Sequence, residues 1–191
     1  MLLNKGWYHY SWNPVYGCKH GCWYCIAREH TEQRGLMEDF TEPQFYPERL
    51  DEPRKVKGKI IMTGAYCDMF GEWVSKEWIE AVLKVIRETP LNSYVLLTKN
   101  PDRYHEFDLP GNVYAGTTVE EPSVLPKAEK LLDLGVKTLL SIEPVLGSFE
   151  GVDLSRWDIV VVGYMIGRPR TLEDKLNLRS VRHENLYIIT R

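Results

Sequence analysis

"SYVLLTK", Ser93–Lys99, is a run of apolar residues that does not alternate, closed by a threonine and a lysine. A strand with one face in water alternates apolar and polar residues. A continuous run is covered on both faces, as in parallel sheets. The pattern recurs in "KIIMTG" (Lys59–Gly64), "NVYAGTT" (Asn112–Thr118), "KTLLSIEP" (Lys137–Pro144) and "DIVVVGY" (Asp158–Tyr164). A first strand near Trp7–Ser11 brings the count to about six, and "NLYIIT" (Asn185–Thr190) reads as a seventh strand or an edge addition.

Helical patterns lie between these runs. "SKEWIEAVLKVIRETP" offers Ser75 as N-cap, Pro90 past its end, and one stripe of Ile79, Val82, Leu83 and Ile86. "PKAEKLLDLG" predicts a second helix with Leu125, Ala128, Leu131 and Leu132 on one face, stopping at Gly135. A first helix begins among the cysteines and runs to Gly35. "TEPQFYPERLDEPRKVKG" reads as a loop with one short helix. Strands alternating with helices imply βα units with right-handed crossovers. Six strands are too few to close an eight-stranded barrel. An α/β fold of the open, partial (β/α)6 barrel type fits, as does a doubly wound sheet, and both place chemistry at the C-terminal strand ends.

The chain has 191 residues, read as a single domain over 1–191, with 43% apolar and 27% charged residues. A net charge of −3 argues against non-specific nucleic-acid binding, although a local basic groove is compatible with it. No apolar run approaches the roughly 20 residues of a membrane span. "MLLNKGWYHY" lacks the apolar core of a secretion signal. The expectation is a cytoplasmic protein with no membrane partner, in a reducing compartment where clustered cysteines serve as ligands or catalysts rather than disulfides.

Three of the four cysteines fall in "GCKHGCWYC", Gly17–Cys25, with the spacing C-x3-C-x2-C. Glycines and charged neighbours argue against plain core thiols. Zinc asks for four tetrahedral ligands, and the fourth would have to be His20 or the distant Cys67. A [4Fe–4S] cube is normally held by four thiolates, so three leave one iron open to a substrate or cofactor. A non-catalytic iron–sulfur electron carrier would normally complete its cluster with a fourth cysteine. That carrier and a structural zinc-binding protein are the alternative readings.

C-x3-C-x2-C with an aromatic before the last cysteine, Tyr24, resembles the signature of the radical S-adenosylmethionine (SAM) superfamily. "SWNPVYGCKHGCWYCIARE" (Ser11–Glu29) is similar to the cluster region of spore photoproduct lyase-like proteins. "WNP", "DMFGEW", "LLTKNP", "AGTTVE" and "SIEPVLG" resemble a phage-associated radical SAM family of unassigned function. The resemblance implies an open TIM-like core, a [4Fe–4S] cluster, SAM and an electron donor of flavodoxin or ferredoxin type. Cys18, Cys22 and Cys25 would ligate three irons, and SAM would chelate the fourth. Tyr24 would lie against adenine, largely through its backbone. The family's Gly-Gly-Glu-like turn corresponds to "TGAYCD" (Thr63–Asp68), which lacks the glutamate. The SAM amino contact then falls to the carbonyls of Gly64 and Ala65 or to Asp68. Thr117, Thr118, Glu120 and Glu143 sit where strand ends meet ribose or the methionine moiety. Lys99 would pair with the SAM carboxylate, or be a solvated strand-end lysine. The implied reaction is reductive cleavage of SAM to a 5′-deoxyadenosyl radical that takes hydrogen from a substrate. A nucleic acid leads as substrate on resemblance to lesion-repair relatives, with a protein as the other macromolecular choice.

Cys67, at the end of the second strand, would return a hydrogen atom to a product radical, as a catalytic cysteine does in spore photoproduct lyase, or would be an inert buried thiol. Arg168 and Arg170 read as contacts to a substrate phosphate or carboxylate, or as paired surface residues. Trp7, Tyr8, Tyr10, Trp12 and Tyr16 read as a base-stacking surface or, the favoured reading, as core and cluster shielding.

Overall fold

The structure, a computed structural model, describes residues 7–189. Residues 1–6 of the N-terminal reading and Thr190 of "NLYIIT" lie outside the described residues. In chain order the elements are β1 (Tyr10–Trp12), β2 (Val15–Tyr16), α1 (Ile26–Arg34), β3 (Gln44–Phe45), β4 (Ile60–Thr63), α2 (Lys76–Glu88), β5 (Ser93–Thr98), β6 (Val113–Thr118), β7 (Lys137–Ile142), β8 (Ile159–Gly163), α3 (Leu172–Ser180) and β9 (Leu186–Ile189). Seven strands make one all-parallel sheet in the order β1-β4-β5-β6-β7-β8-β9, while β2 and β3 form a small antiparallel pair. The sheet curls into a half-barrel. A doubly wound sheet would reverse its strand order at a switch point. Here each strand of the large sheet lies beside its predecessor in the chain, which is barrel winding.

The continuous apolar runs are explained by what covers them. On the outer face, Ile61, Leu96, Ala115, Leu140 and Val160 pack in one core with Ile79, Val82, Leu83 and Ile86 of α2. On the inner face, Met62, Val95, Leu139 and Val161 pack with Trp7 in a second core. The α2 stripe is buried as its periodicity predicts, and Ser75 Oγ accepts from the Trp78 amide at 3.3 Å as N-cap.

One open reading resolves and three elements depart from the sequence reading. "NLYIIT" supplies a seventh strand, β9, parallel to β8 with Val160 opposite Leu186. The first strand starts later than expected, at Tyr10, where its register with Ile61 begins. The helix expected over "PKAEKLLDLG" is a 3₁₀ segment, Pro122–Leu131. Pro122 starts the segment, where proline is tolerated, but Pro126 lies inside it and removes an α-helical hydrogen bond, yet Ala128 and Leu131 are buried as the pattern requires. Finally, α3 was not anticipated, although its capping box of Thr171 and Asp174 is written in "TLED". Among the described residues no helix is long and apolar enough to cross a membrane.

Candidate active site

The cysteine loop leads into α1 and is pinned from below. The Gly17 amide donates to the Tyr66 carbonyl at 3.0 Å and the Cys18 amide to the Phe40 carbonyl at 2.8 Å. Gly17 has φ +98°, and a Cβ there would stand 2.9 Å from Pro43 Cα and 3.0 Å from the Phe40 oxygen. Neither backbone atom can give way easily, so the position demands glycine. Cys25 caps α1, its Sγ accepting from the Arg28 amide at 3.4 Å.

Above the C-terminal strand ends lies a cavity of about 300 Å³. Cys18, Cys22, Tyr24 and Cys25 form one wall. Gly64, Ala65, Cys67 and Asp68 enter from the loop after β4, and Lys99, Thr118 and Glu143 from the ends of β5, β6 and β7. Tyr164, Met165 and Ile166, following β8, line the far side. The cavity is therefore shared by nearly all the residues the sequence singles out. Among the described residues, no three His, Cys, Asp or Glu side chains converge on a point that could hold a single metal ion. The three loop cysteines all line the cavity.

Two expected residues are not on the wall. Thr117 is fully buried and its hydroxyl donates to the Thr98 carbonyl at 2.7 Å. Alternation along β6 turns Thr118 toward the cavity and Thr117 toward the outer core. Glu120 stands behind Tyr24, where its carboxylate accepts from both the Tyr24 hydroxyl and the Lys99 ammonium. Lys99 Nζ also donates to the Tyr24 hydroxyl at 2.9 Å. Tyr24 thus joins a charged cluster through its side chain, beyond the backbone contact that the family resemblance implies.

A second polar corner joins the cysteine loop to β5. The buried Asp68 carboxylate accepts from the Lys99 amide at 2.8 Å and the Phe70 amide at 3.0 Å, and pairs with His20 Nε2 at 2.6 Å. His20 also meets Trp73 edge-on at 4.8 Å between ring centres. Asp68 thereby ties the cysteine loop to the end of β5. His20 entered the sequence reading only as a zinc ligand. Its pairing with Asp68 joins residues 48 positions apart, and no local spacing signals it.

Burial sets the electrostatics. It pushes the Cys18 thiol up to about 11, with Asp68, Cys25 and Cys22 adding to the rise. Burial pushes the Cys67 thiol well up, reinforced by Asp68 and Cys18. Burial and the Glu120 carboxylate push the Tyr24 phenol far above its ordinary value. Burial alone would raise Glu120, but hydrogen bonds from Lys99 and Tyr24 outweigh it and hold the carboxyl below the usual range.

The remaining candidates sort by contact. Arg168 makes a two-pronged pair with Asp174, at 2.7 and 3.1 Å, and so holds the start of α3. Arg170 lies over the Tyr164 ring at 4.5 Å. Trp7 and Trp12 are buried in the core, and Tyr16 stacks on Tyr66. Those three fit the core-and-shield reading.

An open parallel half-barrel with a three-cysteine loop at its C-terminal rim has the fold of the radical SAM class to which the sequence is similar. Over residues 4–185 the chain matches the family described as Protein of unknown function (DUF5131), and it belongs to that family. No curated protein matches its sequence. Among solved structures it is similar to a doubly substituted spore photoproduct lyase with bound AdoMet and dinucleoside spore photoproduct, with TM-score 0.58 and 14% identity over 89% of this chain and 60% of that one. It is also similar to spore photoproduct lyase complexed with dinucleoside spore photoproduct, with TM-score 0.55 and 15% identity over 78% of this chain and 54% of that one. At these identities the likeness is one of fold, and the chain spans little more than half the length of those structures.

Proposed function

We propose that this chain is a radical SAM enzyme in which Cys18, Cys22 and Cys25 hold a [4Fe–4S] cluster and the strand ends hold SAM, with a nucleic acid as substrate. The carrying observation is the placement of the three loop thiols together on one wall of the cavity at the C-terminal strand ends. A cube takes one thiolate per iron, so three thiolates would leave one iron open to SAM. Gly17, held at a conformation and in a space that exclude a side chain, shapes the loop that presents those thiols. When bound, the cluster and SAM supply one-electron cleavage of a carbon–sulfur bond and a carbon radical able to take a hydrogen atom.

The chain's own residues orient and shield. In this reading Gly64 and Ala65, which line the cavity, offer carbonyls to the SAM amino group, and Lys99, which also lines it, pairs with the SAM carboxylate. Thr118 and Glu143 line the same cavity and are the partners assigned to ribose or methionine. Tyr24 holds the cysteine loop against β5 and β6 through Lys99 and Glu120. Met165 and Ile166, which also line the cavity, are the apolar side chains that would shield a radical from water there once a ligand is bound. Cys67 opens onto the cavity with its thiol kept protonated, the state required of a hydrogen-atom donor. The nucleic-acid substrate is supported by the shared fold with a lyase whose solved structure carries a dinucleoside lesion.

The test is anaerobic reconstitution with iron and sulfide, followed by dithionite and SAM. The expected result is 5′-deoxyadenosine formed by the native chain and none by Cys22→Ala. A well-folded protein that takes up zinc alone, with no absorbance near about 400 nm, would reject the reading.

A further inference from the structure

His20 stands in the three-residue interval between Cys18 and Cys22. Main-chain hydrogen bonds hold the loop at Gly17 and Cys18, and the Cys25 amide donates back to the Cys22 carbonyl at 3.2 Å. Among the described residues, Lys19, His20 and Gly21 make no hydrogen bond between main chains. Gly17 and Gly21, with φ +98° and +67°, bracket the interval and let the chain bend sharply there. Side chains must therefore fix it. Lys19 reaches Glu42 at 3.3 Å, but the two side chains are 42% and 69% exposed, and such pairs contribute little. The His20 link is sheltered instead. Its Nε2 pairs with Asp68 Oδ2 at 2.6 Å, with 24% of the His20 side chain and 6% of the Asp68 side chain exposed. That carboxylate is itself held, because the Lys99 and Phe70 amides donate to its two oxygens at 2.8 and 3.0 Å. The Trp73 ring meets the imidazole edge-on, with ring centres 4.8 Å apart. His20 and Asp68 line the cavity together with Cys18 and Cys22.

We propose that His20 is a positioning residue that sets the separation of Cys18 and Cys22 for the cluster, with Asp68 as its anchor. The inference deepens the radical SAM reading and rests on it for the identity of the group that the thiols hold. Groups that orient the ligands of a metal govern how tightly it is kept. His20 acts through the main chain that joins two of those ligands, at a place that the motif counts only as spacing. Because the tether ends at the Lys99 amide, it fixes the two cysteines relative to the end of β5.

The test compares the full chain as native protein, His20→Phe, which keeps a ring for Trp73 and loses the hydrogen bond, and His20→Gln, which restores a donor. Hydrogen–deuterium exchange of the cluster-free chains is expected to be faster across residues 19–24 in His20→Phe than in the native chain and His20→Gln. After anaerobic reconstitution with iron and sulfide, His20→Phe is expected to hold iron about tenfold less tightly against a chelator. Its electron paramagnetic resonance signal, once reduced with dithionite, is expected to change shape. His20→Gln is expected to return both readouts to the native values. A merely structural role would lower the melting temperature of His20→Phe and leave iron retention and signal shape unchanged, and that result overturns the proposal. A loss that His20→Gln fails to restore overturns it as well. Failure of the broader reading looks different: the native chain takes up no cluster, while exchange across residues 19–24 still depends on His20, which keeps the loop-setting role and rejects the cluster as its object.

Discussion

The floor and the rim of the half-barrel are built from the same inward-facing rows of residues, yet they are opposite in chemistry. Along β5 the inward row runs Val95, Leu97, Lys99, and along β7 it runs Leu139, Ser141, Glu143. Near the floor Val95 and Leu139 are buried in one cluster with Trp7, and Trp7, Tyr114 and Tyr187 line an apolar pocket of about 30 Å³. Four residues further along each row, about 13 Å and just past each strand's end, stand the charged Lys99 and Glu143, and the cavity they line is ten times larger. A barrel of this kind is held together from below and put to use from above. Damage to the floor should cost folding, and damage to the rim should cost binding.

The largest expected effect is at the rim. Cys18→Ala should abolish cluster loading, read as loss of iron, sulfide and visible absorbance, with the far-ultraviolet circular dichroism unchanged. Cys67→Ala should load normally. A floor residue should behave the opposite way. Leu139→Ala removes a fully buried side chain and should destabilise by about 2–5 kcal/mol, seen in urea midpoints, while SAM affinity per folded molecule is retained. Gly17→Ala tests the join between the two regions. The new methyl meets backbone at 2.9–3.0 Å in a left-handed conformation, which should cost about 1–3 kcal/mol and lower cluster occupancy together with stability. A Gly17→Ala chain that melts and loads like the native one would show that the loop is not fixed by that contact.

The smallest effect should come from Glu120. Its carboxyl is held below the ordinary range in the folded chain, so it stabilises the fold above that range. The contribution is lost as pH falls through the lowered folded value. Glu120→Gln should cost about 1 kcal/mol at neutral pH and flatten the acid side of a plot of stability against pH. An unchanged acid limb would mean that the Lys99–Tyr24 cluster stabilises by some other route.

Most of this contrast was legible in the sequence, because strands covered on both faces announce themselves by continuous apolar runs. The β5 and β7 runs predicted both the parallel sheet and the polar residues at its ends. The cysteine loop was legible from spacing alone. What escaped was whatever depends on contacts distant in sequence. Thr117 and Thr118 are adjacent, and only register decides which one faces the cavity. His20 and Asp68 meet across 48 positions, and Tyr24 and Glu120 across 96. The 3₁₀ segment at Pro122–Leu131 was misread because its apolar spacing is helical, while Pro126 within it forbids the α-helical ladder.

The most direct test of the account is electron paramagnetic resonance of the dithionite-reduced, reconstituted chain, recorded with and without SAM. The account predicts a [4Fe–4S] signal that depends on Cys18, Cys22 and Cys25, survives Cys67→Ala, and shifts when SAM is added. A signal that SAM leaves unchanged and that disappears in Cys67→Ala would show all four irons held by the chain, and would contradict it.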